Sequence, residues 1–267
     1  MKRYFLLCLS LFFLTSAMVP EKKAKPTIYL IGDSTVKNGS GKGDGGLWGW
    51  GDYLYMQIDT NKVAVRNHAR GGTSSRTYID LGLWDNVFAR LKPGDYVIMQ
   101  FGHNDAGPVN DNFRARGTIK GNGEETEEID NILTKKHEIV HSYGWYLRKY
   151  ITEARSKGAI PIVCSLVPRN IWTNGKVNRS ANDYAKWAEE AALAEKAYFI
   201  NLNEMIASKY EALGEDKVKS TLFGKDSTHT LKEGAIFNAS VVAEGISTLK
   251  GCKLKKYIKE VKQKTSL

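Results

Sequence analysis

The sequence predicts an α/β fold, a three-layer α/β/α sandwich with a central, mostly parallel five-stranded sheet. Five short apolar runs have the length and composition of buried strands. Segments with the apolar spacing of helices separate these runs, and strands that alternate with helices form parallel βαβ units. Polar residues and glycines follow several strands, as expected at the ligand-binding edge of such a sheet.

Strands and helices alternate along the predicted domain, whose 267-residue chain is long enough for one full core. The predicted strands are residues 27–31, 63–66, 96–101, 160–166 and 198–200. The predicted helices are residues 53–58, 83–91, 139–156, 181–196, 205–210 and 235–249. Two long loops, residues 106–130 and 225–232, have the length of binding elements.

The first seventeen residues have the layout of a signal peptide. Lys2 and Arg3 precede an apolar run over residues 4–14, and small residues follow up to Ala17. The apolar run is too short to span a bilayer, so no stable membrane insertion is expected. Cys8 precedes most of this run, which disfavours a lipid-anchored alternative. The sequence therefore predicts export to the periplasm or the exterior, with residues 18–267 as one domain.

The chain is basic, with 39 Lys and Arg residues, 29 Asp and Glu residues and a formal net charge of +10. Removal of Lys2 and Arg3 leaves 37 basic residues, a net charge of about +8 for the mature chain. Outside the cell such a charge attracts acidic polysaccharides or anionic surfaces rather than nucleic acid. A solvated, lysine-rich surface explains the same charge, and the sequence leaves both interpretations open. The oligomeric state is not predicted.

Two cysteines remain after the leader, Cys164 and Cys252, so at most one disulfide can form. Cys164 lies in an apolar run with the character of a buried strand, and unpaired thiols fit the sequence as well as a disulfide does. Disulfides therefore do not organise the predicted fold.

Chemistry-bearing residues gather after the predicted strands. They are Asp33 and Ser34 after the first strand, Gly71 and Gly72 after the second, His103, Asn104 and Asp105 after the third, and Arg169 and Trp172 after the fourth. Because parallel strands end at one edge of the sheet, we expect these residues to share one rim.

A nucleophilic triad can be assembled from this rim and the loop before the last helix. A serine hydroxyl needs a base to take its proton, and the base needs a carboxylate to orient its ring. Asp226 stands three residues before His229, so a short turn can join their side chains, and Ser34 supplies the hydroxyl. The alternative is that Ser34 and Asp226 cap turns and that His229 is an ordinary surface histidine.

An acyl-transfer site also needs hydrogen-bond donors for the oxyanion. The candidates are the backbone N–H groups of Ser34 and Gly72 and the side-chain amide of Asn104. The alternative is that Gly72 is a simple turn glycine and that Asn104 is a turn-forming residue.

Four sequence blocks resemble, in order, those of the SGNH or GDSL-type hydrolases. The blocks are GDST at 32–35, N-x-A-x-G-G at 67–72, GHND at 102–105 and DSTH at 226–229. Within that superfamily the chain is most similar to rhamnogalacturonan acetylesterases, through GDST, GWG at 49–51, G-x-S-x-R at 72–76 and FGHND.

The resemblance implies a secreted esterase that removes acetyl groups from an acidic, pectin-type plant polysaccharide. It implies Ser34 as nucleophile, His229 as base and Asp226 as the residue that orients it, with an oxyanion hole formed by Ser34, Gly72 and Asn104. It also implies a flavodoxin-like three-layer fold and no metal or organic cofactor.

Sugar contacts are expected from residues near the rim. The candidate substrate-binding residues are Asp33, Arg76, His103, Arg169 and Trp172. An aromatic ring can stack on a sugar, and a guanidinium can bind a uronate carboxylate. Trp48 and Trp50 are either stacking residues or part of the core.

Three other functions remain open on the sequence. A lipase, a thioesterase or an esterase acting on another acetylated glycan such as xylan would share the triad, and a non-catalytic carbohydrate-binding protein would lack turnover. A zinc peptidase is suggested by His137-Glu138-x-x-His141, which would place two imidazoles on one helical face. Leu147 occupies the position of the third ligand in one such class, which disfavours the peptidase.

Overall fold

A computed structural model describes residues 25–259, and the predicted signal peptide, residues 1–17, lies outside this range. The strands are β1 Thr27–Gly32, β2 Ala64–Asn67, β3 Tyr96–Gln100, β4 Thr126–Asp130, β5 His137–His141, β6 Ile160–Cys164, β7 Trp172–Thr173, β8 Lys176–Val177 and β9 Tyr198–Ile200. Five of them form one sheet in the order β2-β1-β3-β6-β9, with every neighbouring pair parallel. The predicted five-stranded sheet is confirmed.

Helices cover both faces of this sheet. They are α1 Ser75–Asp80, α2 Leu83–Phe88, α3 Tyr143–Ser156, α4 Tyr184–Ala194, α5 Leu202–Leu213, α6 Glu215–Thr221 and α7 Lys232–Thr248. Short 3₁₀ helices lie at Asp44–Gly46, Trp50–Asp52, Leu54–Gln57 and Lys253–Tyr257. Ser74 and Ser142 begin α1 and α3 with side-chain caps, which satisfy N–H groups that a helix start leaves without partners.

Alternating side chains of the strands form two cores. Ile28 and Leu30 of β1 point to the face covered by α5, α6 and α7, whereas Tyr29 and Ile31 point to the face covered by α1 to α4. Successive strand residues point to opposite faces, so a strand buried on both sides is apolar throughout. The fold is therefore the predicted three-layer sandwich.

Two helix predictions differ from the structure. Residues 53–58 form a 3₁₀ turn rather than an α-helix, and the helix predicted from residue 139 begins only at Tyr143. Residues 137–141 instead form β5, which pairs antiparallel with β4. Val140 of β5 is buried between exposed or half-buried neighbours, a period-two pattern that the apolar spacing of the following helix obscured. The two His side chains of the H-E-x-x-H motif consequently lie on a strand.

The chain between β3 and α3 carries the β4–β5 hairpin. Its end is tied to the fold by backbone hydrogen bonds, in which Ile119 N–H donates to His141 O and Tyr143 N–H donates to Ile119 O. Arg76 of α1 is 1% exposed and donates from Nη2 to the carbonyl oxygens of Val109 and Ala115. This long segment is therefore anchored from below by a buried guanidinium.

Cys164 and Cys252 are both buried and are not joined to each other. In the part of the chain that the structure describes, no helix is long and apolar enough to cross a bilayer.

Candidate active site

Ser34, His229 and Asp226 meet at the carboxyl edge of the sheet. His229 Nε2 lies 2.9 Å from Ser34 Oγ, and His229 Nδ1 lies 2.9 Å from Asp226 Oδ2. In the tautomer that carries its proton on Nδ1, the imidazole donates to the carboxylate and accepts from the hydroxyl. The three residues predicted as a triad therefore form one continuous hydrogen-bonded relay.

The loop before α7 holds the carboxylate in place. Asp226 Oδ1 accepts the backbone N–H groups of Thr228 and His229, at 2.7 and 2.8 Å. Partial burial raises the pKa of Asp226, but the hydrogen bonds from the His229 ring, the two N–H groups and the attraction to His229 outweigh it, so the pKa is lowered. Asp226 thus stays ionised and can orient the imidazole.

Glycine at the end of β1 allows the chain to present Ser34. Gly32 has φ +155°, and a β-carbon at this position would lie 2.4 Å from the carbonyl oxygen of Gln100. Such an approach excludes any side chain, so the strand can turn directly beside β3. Val36 and Lys37 then donate their N–H groups to Asp33 O, which closes the turn around Ser34.

The three residues predicted to supply oxyanion donors line one cavity and come from the ends of separate strands. Among residues 25–259 the N–H groups of Ser34 and Gly72 have no hydrogen-bond acceptor, and both residues line the cavity. Gly72 has φ +85°, a left-handed conformation that favours glycine. Asn104 lines the same cavity and uses one amide hydrogen on Thr73 O, at 2.8 Å, which fixes the orientation of its side chain.

A chain of buried hydrogen bonds supports the nucleophile turn from below. Trp50 Nε1 donates to Gln100 Oε1, Gln100 Nε2 donates to Thr35 Oγ1, and Thr35 Oγ1 donates to Asp33 Oδ1. Asp33 Oδ2 also lies 3.3 Å from His103 Nδ1. Burial raises the pKa of the Asp33 carboxyl, but His103 and Thr35 outweigh it and the pKa is lowered. Because each member has a partner, the network holds Thr35, and with it the adjoining Ser34, in one position.

Asp105 is the second buried acid near this edge. It accepts the N–H and hydroxyl of Ser75 and the N–H of Gly102. Burial raises its pKa to about 6, against which these hydrogen bonds act only in part. Asp105 therefore joins α1 to the end of β3. These hydrogen bonds also fix the backbone next to Asn104, one of the predicted oxyanion donors.

An open cavity of about 720 Å³ is lined by Ser34 and His229. Four arginines, Arg70, Arg114, Arg116 and Arg169, line it, and none of its described lining residues is acidic. Guanidinium groups bind carboxylates with two parallel hydrogen bonds, so this wall favours an anionic ligand. Only Arg169 was among the sequence candidates. In the sequence, the two closely spaced basic residues Arg114 and Arg116 in the long loop could have identified these two arginines as candidates.

The structure divides the predicted substrate contacts. His103 and Arg169 line the cavity. Asp33 is fully buried beneath it, and Arg76 is buried against the long loop, so their predicted contact with substrate is corrected to a supporting position. Trp172 also lies outside the cavity lining, where its indole donates to Asn170 Oδ1 and its ring packs on the core. Asp33, Arg76 and Trp172 therefore pack into the protein rather than line the cavity.

Trp50 is fully buried and Trp48 is half-buried against the same core, which favours the core interpretation for both.

The two histidines of the H-E-x-x-H motif lie away from the triad on β5. His137 is 61% exposed beside Asp130, whereas the ring of His141 stacks on Trp145. Within residues 25–259 no three His, Cys, Asp or Glu side chains gather closely enough to hold a metal ion. The helical face on which the zinc-peptidase hypothesis depends does not form.

The chain is similar to known proteins over most of its length. The chain is 34% identical over 239 residues to a rhamnogalacturonan acetylesterase from Emericella nidulans, across 88% of this chain and 92% of that protein. It is 32% identical over 227 residues to the probable rhamnogalacturonan acetylesterase YesY from Bacillus subtilis, across 83% of this chain and 93% of that protein.

Solved structures share the fold. Protein YxiM from Bacillus subtilis superposes with a TM-score of 0.66 at 24% identity, and the alignment spans 84% of this chain but 56% of that one. An acetylxylan esterase from Geobacillus stearothermophilus gives a TM-score of 0.52 at 16% identity, over 88% of this chain and 97% of that one. Residues 30–235 match the family model described as GDSL-like lipase/acylhydrolase. The protein thus belongs to the GDSL-like lipase/acylhydrolase family.

Proposed function

We propose that this protein is a serine esterase that removes acetyl groups from a pectin-type polysaccharide such as rhamnogalacturonan. The observation that carries the proposal is the relay from Asp226 through His229 to Ser34, which opens into a cavity lined by Gly72 and Asn104. Acyl transfer by a serine requires a base for the hydroxyl, a carboxylate that orients the base and donors for the oxyanion.

The proposed reaction has two halves. His229 accepts the proton of Ser34, whose oxygen attacks the acetyl carbonyl, and the donors of Ser34, Gly72 and Asn104 hold the oxyanion. The bond between the acetyl carbon and the sugar oxygen breaks, and His229 protonates the departing sugar oxygen. Water then attacks the acetyl-serine in the same way, releasing acetate and restoring the Ser34 hydroxyl. Only neutral imidazole can accept the proton in either half.

The cavity wall supports a polar, anionic substrate over a fatty acyl chain. Its described lining residues include no aliphatic residue and no Phe, Tyr or Trp. A long acyl chain leaves water by packing against large apolar side chains, and none of these lines the cavity directly around Ser34. The names of the two relatives support acetyl ester and rhamnogalacturonan as the bond and the polymer.

Acetate release from a panel of acetylated polysaccharides tests the proposal. We expect release from acetylated rhamnogalacturonan to exceed release from acetylated xylan, with little hydrolysis of long-chain acyl esters. Ser34→Ala should lower kcat by at least about 10³-fold, because the nucleophile is lost. Ser156→Ala, on the exposed end of α3, is the matched control and should retain activity. Full activity of the Ser34→Ala protein would remove the basis of the mechanism.

We also propose that residues 1–17 direct export and are removed. The measurement is the N-terminal sequence of protein recovered from outside the cytoplasm, which should begin shortly after Ala17. Recovery of the unprocessed chain from the cytoplasm alone would contradict export.

A further inference from the structure

A second cavity adjoins the active site along one wall. It has a volume of about 640 Å³, and it shares five lining residues with the first cavity, namely Arg70, Gly71, Gly72, Arg114 and Arg116. The two cavities therefore lie side by side, with the glycine turn and these arginines between Ser34 and the second cavity. We call the second cavity the side groove.

Large apolar side chains stand exposed along the side groove. Phe113 is 74% exposed, Leu81 is 63% exposed and Leu133 is 46% exposed, and all three line the groove. They come from three separate segments of the chain, namely the long loop, the end of α1 and the β4–β5 turn. Exposed apolar side chains that converge in one place mark a binding surface, whereas scattered ones need no explanation.

The exposed Phe113 stands on an ordered turn. The Asp111 carboxylate accepts the N–H groups of Phe113, Arg114 and Ala115 through Oδ1, at 3.3, 2.7 and 2.6 Å. The Arg114 guanidinium lies 4.9 Å from the centroid of the Phe113 ring. Arg76 holds the same turn from beneath through Ala115 O. Because the turn is already held in place, little conformational entropy would be lost when a ligand meets the ring.

Arg116 stands where the side groove meets the reaction centre. It is half-buried, and its Nη1 donates to Gly72 O at 2.8 Å. Arg114 is exposed beside it, so two guanidinium groups follow one another along the wall from Gly72 toward Phe113. This order of a cation and then an aromatic ring suits a sugar that carries a carboxylate.

We propose that the side groove binds the polysaccharide chain beyond the acetylated sugar. One ring of the chain stacks on Phe113, and a uronate carboxylate pairs with Arg114. This inference rests on the proposed function, because a polymer whose ester lies at Ser34 must continue along the surface from that point. The neighbouring groove offers apolar surface and more positive than negative charge, since Arg70, Arg114, Arg116 and Lys136 line it against Asp80 and Glu138. Its polar residues Thr77, Asn131 and Thr134 suit sugar hydroxyls.

Kinetics on substrates of graded length test the groove. Phe113→Ala is compared with Leu193→Ala, a control that shortens a 65% exposed side chain on α4. The substrates are acetylated rhamnogalacturonan oligosaccharides of increasing length and 4-nitrophenyl acetate. We expect Phe113→Ala to raise KM on the longer oligosaccharides roughly 3- to 10-fold more than on 4-nitrophenyl acetate. Phe113→Trp should restore the lower KM. An equal change on all substrates would overturn the groove as a binding site.

Binding without turnover separates the groove from the proposed function. The probe is a deacetylated rhamnogalacturonan oligosaccharide, titrated calorimetrically into Ser34→Ala protein and into Ser34→Ala protein that also carries Phe113→Ala. Weaker binding by the double variant supports the groove even if the wild-type protein releases no acetate from the polymer. Equal binding by both overturns it even if acetate is released.

Charge and self-association give two further readouts. Arg114→Gln should weaken binding of the acidic oligosaccharide but not of a fully methyl-esterified one, since only a free carboxylate pairs with the guanidinium. Weaker binding of both oligosaccharides would contradict the carboxylate contact.

Sedimentation tests whether a second copy of the chain covers the groove. A wild-type dimer that Phe113→Ala converts to monomer would show that it does, and the proposal would then be wrong.

Discussion

His229 Nε2 lies 2.9 Å from Ser34 Oγ, although 195 positions of the chain separate the two residues. Ser34 follows β1, and His229 comes from the loop before α7. Trp48 N–H donates to Thr230 O at 2.9 Å, and Thr230 Oγ1 donates to Trp48 O. These reciprocal bonds tie the histidine loop to the chain that follows Ser34, so the short distance is maintained by neighbouring backbone.

Asp226→Asn should leave the fold intact and lower activity. The amide preserves the shape of the side chain, but it removes the negative charge that orients and stabilises the protonated imidazole. We expect kcat to fall by about 10²- to 10⁴-fold with a smaller change in KM. Steady-state kinetics on an acetyl ester measure the effect, and Asp216→Asn on the exposed start of α6 is the control. Activity within twofold of wild type would contradict a role for Asp226.

Asn104→Ala should reduce transition-state stabilisation. The variant removes the side-chain amide proposed to donate to the oxyanion, and kcat is expected to fall by about 10²- to 10³-fold. Asn104 also holds Thr73 O, so the thermal midpoint of unfolding must be measured beside the kinetics. Asn61→Ala, on an exposed turn outside the cavity lining, is the control. A raised KM with unchanged kcat would assign Asn104 to ground-state binding instead.

Asp105 should make stability depend on pH. Its folded pKa of about 6 lies above its ordinary value of 3.8, so the folded state binds the proton more tightly than the unfolded state does. The contribution of the protonated group is fully present below pH 3.8 and is lost as pH rises through about 6. A shift of about two units corresponds to roughly 3 kcal/mol.

Urea unfolding of the wild type and of Asp105→Asn, at intervals from pH 4 to pH 7, measures this effect. As pH falls, the free energy of unfolding of the wild type should rise relative to that of the variant, because only the wild type has a titrating group at this position. A difference between the two proteins that is constant across this range would contradict the raised pKa.

Gln100→Leu should destabilise the protein. The substitution leaves the Trp50 indole N–H without an acceptor and Thr35 Oγ1 without a donor in a fully buried place. Unsatisfied buried polar groups cost about 1–3 kcal/mol each, so we expect the two groups to lower the free energy of unfolding by about 2–6 kcal/mol. Chemical denaturation measures it, with Gln57→Leu on a partly exposed 3₁₀ turn as the control. Unchanged stability would show that the network contributes little.

Local patterns in the sequence determined the sheet and the location of its reactive edge. Apolar runs such as β1 and β3 are buried on both faces, and parallel strands must deliver Ser34, Gly72 and Asn104 to the same side. The histidine block could also be recognised in the sequence, because a short turn places Asp226 against His229 within four residues. These features depend on spacing along the chain.

Only the tertiary structure decided which way the remaining side chains face. Asp33 follows the end of β1 and Arg76 lies in α1, yet both turn inward to hydrogen-bond partners, Asp33 to His103 after β3 and Arg76 to the long loop. Conversely, Arg114 and Arg116 lie within a long loop rather than at a strand end, and they reach the cavity because Arg116 donates to Gly72 O. A short sequence pattern records neighbours a few residues apart, whereas the burial of a charge depends on partners that folding brings from dozens of residues away.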